Sequence, residues 1–512
     1  MSNECTFDLE DYEMEFRNED DGEDTASLIK PEVKQKTDAK LKQTSQGGQK
    51  KKGSEEDQHS LVDWMLKLFR TFDQSYLQVM TVSYFIQGFK IFIDLSVMDL
   101  FKQYLKIEPA ESQILTSIIY LPWSLKVVYG LIADNIPVFG SKRRSYIAMN
   151  GFLEFIFLLP LVSNLANDKY TITICLTLYA INVAFNDSII DALMVMQARR
   201  DPIHGSEDLN SYTWIWLAIG GMVGSLSAGY LTEYLDPHRS FLLCGLLGLL
   251  ISFLGLRLNK EIDQDPLSSK KFSKKEFRKN MKSIKKALQS PQVFNTLVYI
   301  MLTGVLVPKY NDVSYYFQLT ALNFSKMTYS MLTFVSYVSM LLGTMIYNRY
   351  FQEWEFRNLF QLCQLGFLFC SLCKLTLIMR LNLGIIDDLA FVFFTNIIQD
   401  TMNLALNFLP SVVLFTKITP FNIEATLFAT LSGIQSFAQN VGGPLFGSIL
   451  CKYFGVTNEN FDKYHVLVMI QIGAIILSFL FIWFVPTKKE IQKAQDDQLK
   501  EHEKEIKTIN YI

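Results

Sequence analysis

The stretch Tyr464-His-Val-Leu-Val-Met-Ile-Gln-Ile-Gly-Ala-Ile-Ile-Leu-Ser-Phe-Leu-Phe-Ile-Trp-Phe-Val485 contains no acid, lysine or arginine. A helix of about 20 apolar residues is long enough to cross the hydrocarbon core of a bilayer. The stretch therefore predicts a transmembrane helix. The whole chain has the matching composition, because 49% of its 512 residues are hydrophobic and 19% are charged, whereas a soluble protein carries about 25% charged residues.

Further apolar runs of similar length precede this one along the chain. With it they predict twelve spans, near 76–100, 112–133, 145–164, 170–197, 210–233, 239–258, 293–316, 327–349, 357–379, 389–416, 424–450 and 464–485. Six spans form residues 76–258 and six form residues 293–485, with a basic connection at 259–292 that holds ten Lys or Arg and four acids. The spacing predicts an all-α membrane protein built from two six-helix bundles, a plan that many transporters share.

The charged residues that remain lie mostly in the tails. Residues 1–75 begin with eleven acids in the first 24 positions, and they predict a largely disordered tail in which Leu61–Arg70 is either an interfacial helix or a cytosolic extension of the first span. Residues 486–512 form a second charged tail. Because Lys and Arg favour the cytoplasmic side, the connection and both termini are predicted to be cytosolic, in either the plasma membrane or an endomembrane.

Two acids four residues apart, Asp187 and Asp191, lie on one face of the fourth predicted span. An ionisable group near a helix centre costs at least about 2.5–3.5 kcal/mol to insert, so each needs a partner or a function. Because the two carboxylates repel each other, one of them is expected to titrate near neutral pH or to pair with a cationic solute. The alternative is that Lys126 or Arg199 neutralises them. Lys126 could instead extend to the membrane surface.

A polar stripe marks the tenth predicted span at Asn396, Asp400, Asn403 and Asn407, whose spacing puts all four on one helix face. Such a face is expected to line a cavity or pack on another helix, because lipid would leave it unsatisfied. A shift of 213 positions pairs Asp187 with Asp400. Both halves would then present carboxylates to a shared centre, with Lys126 nearby.

Other ionisable residues in the spans have simpler interpretations. Lys90 and Asp94 are four residues apart and can neutralise each other on one helix face. The remaining candidates weighed by the same insertion cost are Glu154, Lys309 and Asp312. Pro122, Pro308 and Pro410 interrupt apolar spans, and small-residue faces in the fifth and eleventh spans suit either sliding or static packing.

The stretch Leu121-Pro-Trp-Ser-Leu-Lys-Val-Val-Tyr-Gly-Leu-Ile-Ala-Asp-Asn-Ile-Pro-Val-Phe-Gly-Ser-Lys-Arg-Arg-Ser-Tyr146 resembles the signature of the folate–biopterin transporter family, a branch of the major facilitator superfamily. Gly130, Asp134 and the cluster Lys142-Arg143-Arg144 resemble the loop motif of that superfamily between spans two and three. The resemblance implies the major facilitator fold and a gate. In that gate Asp134, Arg143 and Arg144 would latch the cytoplasmic side by bridging the bundles.

Other segments resemble the same family, and the likeness covers about residues 76–485. They are Tyr84-Phe-Ile-Gln-Gly88, Asp187-Ser-Ile-Ile-Asp191-Ala-Leu193, Leu409-Pro-Ser-Val-Val413 and Ile423-Glu-Ala-Thr426. The chain departs from the family at Met196 and Gln197, where an acid is common, and at Lys309, where a small hydroxyl residue is expected. These departures leave the substrate open, although a pterin ring offers N–H groups that a carboxylate can bind.

The sequence thus predicts a secondary transporter of a small organic solute, suspected to be a folate or pterin, that works by alternating access. Coupling to protons as a symporter, coupling to sodium and plain facilitation all remain open. No phosphate loop, metal ligand set, cofactor motif or nucleic-acid site is found, so an enzyme is not predicted. The alternatives are a membrane-anchored sensor or scaffold acting through its tails, and a carrier of an unrelated solute or lipid. Deleting residues 1–58 separates transporter from scaffold, because only the scaffold should lose its function.

Overall fold

The computed structural model describes residues 61–141, 143–198, 200–201, 205–234, 237–259, 282, 285–419 and 424–496. The predicted tails at 1–60 and 497–512, and most of the basic connection, lie outside these ranges. The chain divides into two compact units, Met1–Trp64 and Met65–Ile512. Both predicted bundles belong to the second unit, so the proposed division into residues 76–258 and 293–485 stays a prediction.

The described structure of the first half is helical throughout, apart from short connections. Its α-helices are α1 Leu61–Thr71, α2 Gln74–Phe89, α3 Ile91–Asp99, α4 Pro109–Tyr120, α5 Lys126–Asn135, α6 Arg144–Val162, α7 Lys169–Ala198, α8 Gly205–Tyr234 and α9 Pro237–Arg257. A π-helical turn, Leu100–Tyr104, extends α3, and a 3₁₀ turn, Leu121–Leu125, joins α4 to α5.

The second half follows the same plan. Its α-helices are α10 Pro291–Leu306, α11 Asn311–Thr320, α12 Lys326–Ile346, α13 Phe356–Ile378, α14 Asp388–Asn403, α15 Leu409–Ile418, α16 Glu424–Phe437, α17 Gly443–Phe454 and α18 Tyr464–Ser478. Three of the joints are π-helical, at Tyr347–Phe351, Leu404–Phe408 and Ala438–Gly442, and a 3₁₀ turn, Phe479–Phe484, follows α18.

Ten helices in the described ranges are long and apolar enough to cross a membrane. They correspond to ten of the twelve predicted spans, and the all-α membrane fold is confirmed. The other two predicted spans, 76–100 and 424–450, are also helical, over Gln74–Tyr104 and Glu424–Phe454. They are not among the ten. The structure is therefore consistent with twelve crossings, but only ten of the helices in the described ranges meet the requirements of length and hydropathy.

Local signals explain where several helices begin and end. The Asp73 carboxylate accepts hydrogen bonds from the backbone N–H groups of Ser75 (2.9 Å) and Tyr76 (3.2 Å) and caps α2. Side-chain acceptors at this position satisfy N–H groups that have no partner within the helix. Gly455 ends α17 in the left-handed conformation, with φ of 69°, which glycine adopts without steric cost.

Glycines allow the two halves to approach closely along α8 and α12. A Cβ on Gly221 would overlap the ring of Tyr337, and a Cβ on Gly229 would lie 2.6 Å from the Cβ of Ser330. Small residues permit this approach between membrane helices. Of the small-residue face predicted in the fifth span, Gly221 lies at the contact between the halves, whereas Gly220 and Gly224 lie against the backbone of Phe85 and Phe89 in α2.

The predicted interruption at Pro308 is a real break in the seventh span, between α10 and α11. Its carbonyl groups are satisfied from neighbouring helices: Gln113 donates to the Lys309 carbonyl (2.9 Å) and Gln471 donates to the Pro308 carbonyl (2.8 Å). Irregular backbone at membrane depth requires such internal partners. The Lys309 ammonium donates to the Gln439 carbonyl at 3.0 Å.

Candidate functional site

Lys126, Asp187 and Asp191 form an ion-pair cluster between α5 and α7. The Lys126 ammonium pairs with the Asp187 carboxylate and lies 3.5 Å from the Asp191 carboxylate. Lys126 is placed there because the 3₁₀ turn at Pro122 ends just before it and α5 begins with it. Of the interpretations open for Lys126, the structure shows a cationic partner of Asp187.

Two side chains of α2 complete this cluster. Gln87 donates to Asp187 at 2.7 Å and Tyr84 donates to Asp191 at 2.6 Å. The Asp187 side chain is 7% exposed and that of Asp191 is 41% exposed. With one lysine and two carboxylates, the cluster carries one excess negative charge, which Asp191 presents on its open side.

A network of buried hydrogen bonds lies beside this cluster, between α7 and α6. Asn186 donates to the Glu154 carboxylate at 3.1 Å, and Asn150 donates to the Asn186 oxygen at 3.1 Å. Glu154 is 2% exposed. Glu154, Asn186, Asp187 and Gln87 border a small cavity of about 20 Å³, large enough for a single water rather than a solute.

A larger cavity of about 370 Å³ lies between α3 of the first half and helices α11–α14 and α18 of the second. Its volume is within the range of small-molecule sites, about 300–1,000 Å³. Three charged side chains line it, Asp94, Lys374 and Asp400, together with polar side chains such as Asn396 and Gln399. This cavity is the candidate solute site.

The Asp94 carboxylate lines the cavity but is neutralised by a neighbouring lysine. Lys90 lies 3.5 Å from the Asp94 carboxylate, as the spacing of four residues predicts, and Tyr120 donates to it at 2.6 Å. The Lys90 ammonium also lies over the rings of Tyr120 (3.8 Å) and Trp123 (4.5 Å), which attract a cation electrostatically. The predicted intrahelical pairing is therefore present, with two aromatic rings added.

Asp400 and Lys374 are not neutralised in this way. Within the part of the chain that the structure describes, neither has an oppositely charged group within 4.0 Å. The Lys374 ammonium donates to the Ser314 hydroxyl at 2.6 Å and lies 5.5 Å from the Tyr464 ring centre. The cavity thus contains one uncompensated cation and one uncompensated carboxylate.

The polar stripe of the tenth span divides at the joint between α14 and the π-helical turn. Asn396 and Asp400 line the 370 Å³ cavity. Asn403 is exposed and accepts a hydrogen bond from Asn407 at 3.0 Å. The structure brings Asp187, Asp191 and Lys126 together and places Asp400 in the larger cavity, whereas the repeat predicted one shared centre.

The predicted gate residues lie at the ends of α5 and α6. Arg143 contacts the sulfur of Met196, and Arg144 donates to the Leu256 carbonyl, both in the first half of the chain. A Cβ at Gly130 would meet nothing within 4 Å. The side chain of Asp134 lies outside the described residues, so a latch that bridges the bundles stays a prediction.

The profile of the BT1 family matches residues 87–506 of this chain. The chain belongs to the BT1 family. The match extends over every described helix from α3 onward, so it includes both halves and the break in the seventh span. The resemblance drawn from Leu121–Tyr146 is thereby confirmed.

Curated relatives agree with the BT1 assignment over most of their length. A probable folate-biopterin transporter 4 of Arabidopsis thaliana is 26% identical over 485 residues, with 83% of this chain and 98% of the relative covered. A folate-biopterin transporter of Synechocystis sp. is 27% identical, with 79% and 80% covered. Folate transporter 1 of Plasmodium falciparum is 21% identical, with 80% and 79% covered.

Solved structures with the same fold are transporters. The nucleoside transporter NupG aligns with a TM-score of 0.60 at 14% identity and covers 80% of this chain and 99% of its own. A D-xylose–proton symporter aligns with a TM-score of 0.56 at 15% identity, with 81% and 99% covered. At such identities only the fold is shared. The family and its curated relatives make this BT1 chain a membrane transporter and not an enzyme.

Two features of the site were missed from the sequence. Lys374 is an ionisable residue inside the ninth predicted span, so the insertion cost that singled out Asp187 should have singled it out too. The second is an ion pair between the halves, in which Lys326 donates to Asp99 at 2.9 Å and to the Thr232 carbonyl at 3.1 Å. No local pattern connects residues 227 positions apart.

Proposed function

We propose that this BT1 protein is a secondary transporter that carries a folate or pterin by alternating access between its two six-helix halves. The observation that supports the proposal most is the 370 Å³ cavity, which is bordered by helices of both halves and is lined by two charged side chains, Lys374 and Asp400, that have no oppositely charged partner among the described residues. A carboxylate such as Asp400 can accept two hydrogen bonds from the amine and adjacent ring N–H of a pterin. The names of the relatives point to the same solutes.

The cluster of Lys126, Asp187 and Asp191 has a different part in this proposal. It borders only a small cavity, and its excess negative charge lies next to the joint between α4 and α5. If the excess charge of this cluster is neutralised by different groups in the inward-open and outward-open conformations, it can link solute movement to the helix rearrangement. We assign the cluster to coupling, and Asp400, with Asn403 one turn farther along, to the solute path.

Among the possible modes of coupling, we propose that transport is coupled to protons, and a buried carboxylate supports this choice. Asp312 is 1% exposed and accepts hydrogen bonds from Ser112 (2.6 Å) and Thr116 (3.2 Å), which belong to the opposite half. No cation of the described residues lies within 4.0 Å of it. A buried carboxylate without a cation is stabilised by binding a proton, and here that step would change a contact between the halves.

The test is uptake into proteoliposomes that contain the full chain. Labelled folate, biopterin and an unrelated solute are compared with and without an inward proton gradient. We expect saturable uptake of folate or biopterin, faster with the gradient, and little uptake of the unrelated solute. If the gradient changes nothing, coupling to protons is wrong while the carrier proposal stands; if neither pterin compound moves, the substrate proposal is wrong.

Asp187→Asn tests the coupling cluster, and Glu459→Gln, an exposed acid in the connection before α18, is its matched control. We expect Asp187→Asn to lower the initial rate by about tenfold or more, since hydrogen bonds to charged groups contribute about 1.5–3 kcal/mol. The control should transport like the unmodified chain. Equal rates for both variants would show that the Asp187 carboxylate has no role in transport.

A further inference from the structure

The 370 Å³ cavity has a cationic side chain and an anionic side chain in its lining, and the proposal of a folate or pterin substrate does not by itself explain the cation. Asp94 is compensated by Lys90, so the net charges that remain are the Lys374 ammonium and the Asp400 carboxylate. An ionisable side chain within a membrane span is costly when no opposite charge compensates it, and such residues commonly mark a binding site. The cavity therefore offers one site for an anion and one for a group that donates hydrogen bonds.

The partners of Lys374 show that its charge is available to a ligand. Ser314 donates its own hydroxyl proton to the Tyr310 carbonyl at 2.5 Å, and its oxygen accepts from Lys374 at 2.6 Å. Ser314 and the ring of Tyr464 are both neutral, so they orient the ammonium without cancelling its charge. Charge-assisted hydrogen bonds from such a group to a carboxylate are about twice as strong as neutral ones.

The separation of the two charges can be read from the helices. Lys374 lies four residues before the end of α13, and Asp400 lies twelve residues after the start of α14. These two ends are joined by one short connection, so they lie on the same side. At about 1.5 Å per residue the two backbone positions are about 12 Å apart along the helix axes. An elongated molecule spans such a separation more readily than a compact ring does.

We propose that Lys374 is the binding subsite for a carboxylate at the far end of an elongated substrate whose amine-bearing ring lies at Asp400. The inference rests on the proposed function and specifies its substrate class, an anionic pterin conjugate such as folate in preference to a pterin without a carboxylate. Asn396 and Gln399, one turn or less from Asp400, supply amide groups that can bind the ring edge.

The experiment compares two solutes that differ in this carboxylate. Uptake of labelled folate, which ends in a glutamate, and of labelled biopterin, which has no carboxylate, is measured in proteoliposomes as a function of concentration. Lys374→Met keeps the length of the side chain and removes its charge, and Lys374→Arg keeps the charge. Lys463→Met is the matched control, because Lys463 is exposed at the start of α18.

We expect Lys374→Met to raise the KM for folate by about tenfold to a hundredfold, the effect of losing one hydrogen bond to a charged group. Its KM for biopterin should change less than about twofold, which also shows that the variant is folded. Lys374→Arg should keep most of the affinity for folate, and Lys463→Met should change neither value.

Two kinds of failure can be told apart. If Lys374→Met changes both KM values by the same factor, or changes neither, the subsite is wrong while the transport function stands. If the unmodified chain carries neither solute, the proposed function is wrong and the subsite falls with it. Transport of biopterin alone, with no inhibition by folate, also overturns the subsite.

Discussion

Replacing Lys126 with methionine tests whether the cluster on α5 and α7 is held by charge. Methionine keeps the apolar stem of the side chain and removes the ammonium that pairs with Asp187 and lies 3.5 Å from Asp191. Two carboxylates on one helix face would then have no cation. Breaking a buried ion pair by removing one partner costs about 3–5 kcal/mol, because the other charge is left buried and uncompensated.

The exposure of the two carboxylates indicates where the cost of losing the Lys126 ammonium falls within this range of free energies. Asp187 is 7% exposed and Asp191 is 41% exposed, and Gln87 and Tyr84 still donate to them. The penalty therefore falls mainly on Asp187, and the lower end, about 3 kcal/mol, is expected. For a chain of 512 residues, with about 2 cal/mol/K per residue, this loss lowers the melting temperature by about 3 °C.

The assay is thermal unfolding of the purified protein in detergent, with Lys463→Met as the control. The double variant Lys126→Met/Asp187→Asn removes the more buried of the two uncompensated charges and should recover about 1–3 kcal/mol of the loss. Transport should remain low in both variants, because the coupling charge is gone. A single variant as stable as the unmodified chain would refute the reasoning, and so would a double variant less stable than the single one.

The contacts between the halves give two further predictions. Gly221→Ala places a methyl group against the Tyr337 ring, whereas Gly473→Ala in α18 meets nothing within 4 Å; we expect only the first to slow uptake, measured as initial rates at equal protein content. Asp99→Asn removes the negative charge of the Lys326 bridge between α3 and α12, which is 2.9 Å long. A cysteine introduced beside this bridge should then react faster with a membrane-impermeant maleimide. Unchanged labelling would show that this bridge does not hold the halves together.

The membrane class and the positions of the helices were predictable because they depend on local composition. The apolar run from Tyr464 to Val485 and the proline interruption at Pro308 are visible within a window of about 20 residues. The pairing of Lys90 with Asp94 was predictable for the same reason, since four residues place both side chains on one face. Each of these signals is contained in one predicted span.

The arrangement of the site was less predictable because it depends on how helices from distant segments meet. A shift of the chain on itself paired Asp187 with Asp400 and suggested one centre. In the structure Asp187 borders a cavity of about 20 Å³ and Asp400 one of about 370 Å³. Equivalent positions in a repeat share a helix face, but the side chains opposite that face decide whether a cavity remains. The contributions of Lys374 and Ser314 to that face come from other helices.

The compensation of charges differs between the contacts that join helices and the candidate solute site. Lys326 is matched by Asp99 and Lys126 by Asp187 within 4.0 Å, and each pair joins two helices. Lys374 and Asp400 have no oppositely charged partner among the described residues, and both line the 370 Å³ cavity. Membrane insertion makes an unmatched charge expensive, so its cost must be offset when a solute of complementary charge arrives. The same argument predicts that a solute lacking either charge-binding group should be carried poorly, even when it fits the volume.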